Sequence, residues 1–71
     1  MKRITVTLES VTYALKVRKM LLKRGILNVS VVKVDVSDNG CVHGVEFNEY
    51  DFFNVVSVLK ENGIKYKIYN A

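Results

Sequence analysis

The chain has 71 residues, of which 49% are hydrophobic and 25% are charged, and its formal net charge at pH 7 is +4. This length gives one domain with a small core, and the hydrophobic fraction excludes a disordered chain. No run approaches the roughly 18 consecutive apolar residues of a membrane helix, and the amino terminus lacks an apolar segment of signal-peptide type, so we expect a cytoplasmic protein that does not enter a membrane.

The first half of the chain predicts a strand, a helix and a second strand. Residues 3–8 alternate between apolar and polar, and Ser10 can cap a helix over roughly residues 11–24 that Gly25 ends. Residues 28–36 are β-branched throughout, which is typical of a strand with apolar side chains on both faces. The residues assigned to the buried side are Ile4, Val6 and Leu8, then Val11, Ala14, Leu15, Leu21 and Leu22; in the second strand, Val32, Val34 and Val36 share one face, with Val29 and Val31 on the other.

The second half repeats this order. Turn formers concentrate in residues 35–40, after which residues 41–47 resume a strand with Val45 and Phe47 inward. Asn48 and Asp51 can cap a second helix, Gly63 ends it, and residues 65–69 alternate as a last strand. The predicted buried stripe of this helix is Phe52, Val55, Val56 and Leu59.

The resulting order, β-α-β-β-α-β, predicts an α+β ferredoxin-like fold with a four-stranded antiparallel sheet and two helices on one face. The endings "LLKRGI" and "VLKENGI" indicate two similar halves related by an approximate two-fold axis. The other sheet face stays open, and a homodimer or another partner could cover it; Val29 and Val31 would favour cover if they point there. Alternation assigns to this face Arg3, Thr5, Thr7, Val42, Glu46, Lys65, Lys67 and Tyr69.

Cys41 is the only cysteine of the chain. It cannot form an internal disulfide, a CxxC pair or by itself a zinc site, so we expect no metal or cofactor. Its position after a loop suits a reactive thiol, although a lone cysteine also suits a buried apolar site. A free thiol has a pKa near 8.5 and gains from a nearby positive charge. His43 lies on the same strand face, with its Cα about 6.5 Å from that of Cys41, and either stabilises the thiolate or has no role.

The first helix carries five cations without an acid in its second half, where the helix dipole favours positive charge. They form either a solvated face or a docking site for an acidic protein, to which we assign Lys16, Lys19, Lys23 and Arg24. Nucleic acid is not favoured, because neither central strand places an aromatic residue on the open face and the basic, glycine and aromatic signature of RNA-recognition modules is absent.

Three segments in order, "SVTYALKVRKMLLKRGI", "CVHGVEF" and "VLKENGIKYKIY", resemble the selenium/sulfur carrier protein-like family of small single-cysteine domains over nearly the whole chain. The sequence departs from the family at Val42, where glycine is usual, and at Asp35, where a Pro-Arg loop is common. The matching residues are Ser10, Thr12, Ala14, Gly25, Ile26, Ser37, Cys41, Val45 and Phe47.

The resemblance implies a carrier rather than an independent enzyme. Cys41 would hold a persulfide or perselenide and pass it from a donor protein to an acceptor protein. One alternative is a non-catalytic interaction or regulatory module, in which the open sheet face and the basic helix bind a partner and Cys41 packs. Another is a small-ligand sensor, which requires a dimer with a pocket between two chains.

Overall fold

A computed structural model describes residues 2–37 and 40–69, with only the backbone described at residues 36, 37, 40 and 41. These ranges contain four strands and two α-helices in the predicted order, which confirms the ferredoxin-like α+β fold. The elements are β1 (Arg3–Thr7), α1 (Val11–Lys23), β2 (Ser30–Ser37), β3 (Gly40–Asn48), a 3-10 turn (Glu49–Asp51), α2 (Phe52–Glu61) and β4 (Lys67–Tyr69).

The strands form one antiparallel sheet in the order β2-β3-β1-β4, so β2 and β4 are its edges. Val45 of β3 lies opposite Val6 of β1 on one side and opposite Val31 of β2 on the other. Val6, Val45 and Phe47 are completely buried, and both helices contribute buried residues to the same cluster. Both helices therefore cover one sheet face, and the core lies between them and the sheet. The helical members of the core are Ala14, Val17, Leu21, Val55, Val58 and Leu59.

The predicted buried stripe of α1 is wrong at two positions. Val11 is 42% exposed and Leu15 is 53% exposed, whereas Val17, which was not assigned, is completely buried. A helix turns about 100° per residue, so the buried side centred on Ala14 and Val17 leaves Val11 and Leu15 on a flank that the sheet does not reach.

The two faces of β2 carry apolar residues as predicted, but Val29 and Val31 do not lie on the open face. Val29 is buried in the core and Val31 packs against it. Val32 and Val34 take the open face instead, because they lie opposite Gly44 and Val42, which alternate with inward Val45. The apolar part of the open face thus lies at the β2 side of the sheet.

Both helices end in the same way, which agrees with the predicted two-fold repeat. Gly25 and Gly63 have φ values of +85° and +63°, in the left-handed region. The amide of Ile26 donates to the Leu21 carbonyl at 3.0 Å, and the amide of Ile64 donates to the Leu59 carbonyl at 3.0 Å. These are the bonds of a Schellman motif, which satisfies the last carbonyls of a helix.

The start of α2 differs from the prediction. The Asn48 side chain accepts a bond from the Tyr50 amide at 3.0 Å, so it caps the 3-10 turn, and the α-helix itself begins at Phe52. The last strand is also shorter than predicted, because pairing with β1 covers Lys67–Tyr69 alone. Predicted turn residues Asp38 and Asn39 lie outside the described part of the chain.

Candidate functional site

The candidate site lies where β2 and β3 approach their connection. Directly opposite residues of the two strands form rungs, in which Lys33 pairs with His43 and Asp35 pairs with Cys41. Beyond Asp35 the register shifts, as in a β-bulge. The backbone therefore brings the two predicted site residues, Cys41 and His43, next to two charged residues of β2.

The Lys33–His43 rung belongs to the face of the sheet that the helices cover. Val31 and Val45, two rungs away, pack inward, and side chains two residues apart on a strand share a face. His43 is half-buried, whereas Lys33 and Asp35 are exposed. The side chain of Cys41 lies outside the described residues, so its exposure and reactivity stay predictions.

Lys33 is the cation that sequence reasoning missed. The diagonal neighbours of an antiparallel pair are roughly 7 to 8 Å apart, so the Lys33 position is within electrostatic reach of the Cys41 position. Pairing residues 28–36 against 41–47 in register reveals it, whereas spacing along one strand indicates only His43. Asp35, directly opposite Cys41, brings the other sign of charge. A carboxylate disfavours an ionised thiol and an ammonium group favours it.

The start of α1 lies at the same end of the sheet. The amide of Leu8 donates to the His43 carbonyl at 2.9 Å, and the chain enters α1 three residues later. Ser10 caps the helix by accepting from the Tyr13 amide at 3.3 Å, and the first turn of α1 contains no acidic residue. The positive end of the helix dipole therefore stands near this end of β3, which favours an anion there.

A depression of about 270 Å³ opens beside the site at this end of the sheet, lined by residues of both sheet faces. Val42, the neighbour of Cys41 in the chain, forms part of its wall together with Thr7 and Tyr66. Lys65, Lys67 and Glu9, all exposed, lie on the rim, and Leu8 also lines the depression. This surface combines an apolar floor with charges of both signs, and it adjoins Cys41 along the chain through Val42.

The predicted basic docking residues occupy the outer side of α1. Lys16, Lys19 and Lys23 are exposed and lie opposite the buried stripe of the helix. Arg24 is exposed too, but it forms an ion pair with Glu61 at 2.6 Å and so links α1 to the end of α2. The three lysines, rather than Arg24, therefore provide the positive surface, and their role in partner binding stays a prediction.

The described part of the chain contains neither a metal-binding cluster nor a membrane-spanning helix. No group of three or more His, Cys, Asp or Glu within those ranges could hold a metal ion. None of the described helices is long and apolar enough to cross a membrane. No family model matches the chain, and no curated protein and no solved structure matches it.

Proposed function

We propose that the protein is a carrier that holds sulfur or selenium on Cys41 as a persulfide or perselenide. The observation that carries the proposal is the backbone position of Cys41, at the outer end of β3 and two rungs from Lys33 and His43, on the same sheet face by alternation. The resemblance of the sequence to the selenium/sulfur carrier protein-like family supports the same residue. A domain of this size with one cysteine needs no resolving thiol for this role.

The transfer proceeds by exchange at sulfur. The Cys41 thiolate attacks the terminal sulfur of the donor's persulfide; the bond to Cys41 Sγ forms, the sulfur–sulfur bond of the donor breaks, and the donor leaves as a thiolate. An acceptor thiolate then attacks the outer sulfur held on Cys41, and Cys41 leaves as a thiolate. No external oxidant or reductant enters, and a perselenide transfers its selenium in the same way.

The charged groups around Cys41 would set the rate of both steps. Lys33 and the first turn of α1 favour an anion at this end of the sheet, with His43 beside them as the proposed thiolate stabiliser, and Asp35 opposes it. Lys65 and Lys67 would attract an acidic surface of the donor or acceptor to the depression beside Val42. The proposed partners are thus proteins whose reactive sulfur lies on an acidic surface.

The direct test is intact mass spectrometry after incubation with a cysteine desulfurase and cysteine. The expected result is a gain of one sulfur atom that a reducing agent removes, with no gain for Cys41→Ser. Folding of the variant is checked by circular dichroism, so that loss of the adduct reports loss of the thiol. A wild-type protein that stays unmodified while the desulfurase loads a known acceptor would overturn the proposal.

The second candidate is a non-catalytic interaction module, and the valines on the open face favour it. Val32 and Val42, both half-buried, form an apolar group with the buried Val34 at the β2 side of that face. In this case Cys41 only packs, so a thiol reagent should label it slowly until the protein is unfolded. Fast labelling of the native protein supports the carrier and contradicts the module. The sensor hypothesis requires a dimer with a pocket between two chains.

A further inference from the structure

We propose that two copies of the chain pair along the outer edge of β2, about a two-fold axis through Val34, to form one continuous sheet. This inference does not rest on the carrier function, because it concerns the edge of the sheet and not the thiol. The partner is a second copy of this chain, since the pattern of charge along β2 is complementary to itself.

The backbone of β2 is arranged for such pairing. Leu8 donates to the carbonyl of His43, so odd-numbered residues of β3 direct their backbone groups toward β1 and even-numbered residues toward β2. Val32 and Val34, opposite Gly44 and Val42, therefore bond to β3, and the backbone groups of Val31 and Lys33 point outward. The regular part of this edge, residues 30–35, is a template for another strand.

Charge selects the register and the partner. Directly opposite residues of an antiparallel pair share a sheet face, so a two-fold axis must pass through a residue and not between two. An axis at Lys33 or at Asp35 would place two like charges together. An axis at Val32 would place Lys33 opposite Val31 of the second copy.

An axis at Val34 is the register that places each Lys33 opposite Asp35 of the other copy. The two opposite-charge rungs are also the rungs whose backbone groups point outward, so they are hydrogen-bonded pairs. The two Val34 residues form the closer, non-hydrogen-bonded rung between them. Asp35 already makes a contact within its own chain. A carboxylate accepts several bonds, so this contact leaves capacity for the lysine.

The exposed flank of α1 is an independent observation in favour of the same edge. Arg24 pairs with Glu61, and Tyr13 lies beside Ile64, so one flank of α1 faces α2. Helical geometry places Val11 and Leu15 on the opposite flank, above β2. Both are large apolar residues on the surface, in the half of α1 nearer the Val34 end of β2. Pairing about Val34 would bring a second copy against this half of the flank.

Sedimentation equilibrium of the full chain at several concentrations tests the dimer. We expect a dimer for the wild type. Lys33→Asp turns both attractive rungs into repulsive ones, and its dimer dissociation constant should be at least about tenfold higher. Asp35→Lys should weaken the dimer in the same way, because it places two lysines opposite each other. The double variant Lys33→Asp, Asp35→Lys restores the complementary pattern with the charges exchanged, and it should restore the dimer.

The controls separate this edge from other surfaces. Lys65→Asp makes the same charge change near β4 and should leave the dimer intact, and circular dichroism reports whether each variant is folded. A wild-type monomer at every concentration overturns the inference. So does a dimer that Lys33→Asp leaves unchanged, because that dimer would use another surface. Failure to regain the dimer in the folded double variant overturns the register centred on Val34.

Discussion

Lys33 lies directly opposite His43 across the β2–β3 pair, and one intervening rung, Val34–Val42, separates this pair from Asp35 and Cys41. Two cationic or potentially cationic side chains thus share one sheet face beside the only cysteine of the chain. The arrangement depends on the antiparallel register and not on closeness in sequence, because Lys33 and Cys41 are separated along the chain by the whole connection between the strands. Lys33 and Asp35 place charges of opposite sign beside Cys41, and substituting each residue separately measures its effect on the reactivity of the thiol.

Neutralising the two charged residues of β2 should change the reactivity of Cys41 in opposite directions. Lys33→Gln should lower the rate of alkylation at neutral pH by about threefold, as expected for unit charges roughly 7 Å apart in a largely aqueous environment. Asp35→Asn should raise it by about fourfold, because directly opposite residues are only about 5 Å apart. The measurement is the second-order rate constant of native protein with iodoacetamide. Because charge carries the effect, both differences should shrink as ionic strength rises.

Lys19→Gln is the matched control for this experiment, because it removes one positive charge from the outer side of α1, away from the β2–β3 connection. Its labelling rate should equal that of the wild type. Equal rates for Lys33→Gln, Asp35→Asn and wild type would show that neither residue acts on the thiol. Labelling that occurs only in denaturant would show that Cys41 is buried, and it would remove the carrier proposal as well.

Gly44→Ala should destabilise the fold by about 2 kcal/mol through steric overlap. A Cβ atom at this position would overlap the carbonyl oxygen of Val6 and lie 3.1 Å from the Cα of Thr7. Both contacts are to the backbone of the central strand β1, which cannot move without breaking its pairing. Urea denaturation measures the free energy of unfolding, and Ser57→Ala, on the exposed side of α2, is the control that should leave it unchanged.

The helix-ending glycines should behave differently from Gly44, because their requirement is conformational. Nothing lies within 4 Å of a Cβ atom at Gly25 or Gly63, but both have positive φ. Replacement by alanine should cost about 1 kcal/mol at each site, and asparagine, which tolerates the left-handed region, should cost less. The same asparagine substitution at Gly44 should cost at least as much as alanine. Equal costs for alanine and asparagine at Gly25 would contradict the conformational explanation.

The sequence predicted the fold because local signals agreed with each other. Ser10 and Gly25 mark the ends of α1, and Asn48 and Gly63 mark the limits of the 3-10 turn and α2. Alternation in residues 3–8 and 41–47 placed Val6, Val45 and Phe47 in the core. Each of these features depends on a few neighbouring residues, and so one sequence is sufficient to recognise it.

What the sequence left undetermined depends on contacts between distant elements. The exposure of Val11 and Leu15 follows from how α1 lies on the sheet, since their helical spacing is the same whether the flank is covered or not. The faces of β2 could not be assigned because valines alternate on both sides, and one residue of register exchanges the two faces. The place of Lys33 in the candidate site also depends on the strand register, because its neighbour His43 is on another strand.

Phe47 and Phe53 should differ sharply in their contribution to stability, because they differ in burial. Phe47 is completely buried in β3, whereas Phe53 is 81% exposed on α2. Phe47→Ala should cost about 3 to 5 kcal/mol. This approaches the whole stability of a small domain, so we expect the variant to be largely unfolded in water.

Phe53→Ala loses one edge contact with Phe52, whose ring centroid is 5.6 Å away, and should cost less than about 1 kcal/mol. Urea denaturation followed by circular dichroism compares the two variants with the wild type. Phe47→Leu keeps most of the buried volume and should remain folded, which separates loss of packing from loss of the aromatic ring. A fully folded Phe47→Ala variant would mean that the core does not depend on this side chain, contrary to its burial between the sheet and both helices.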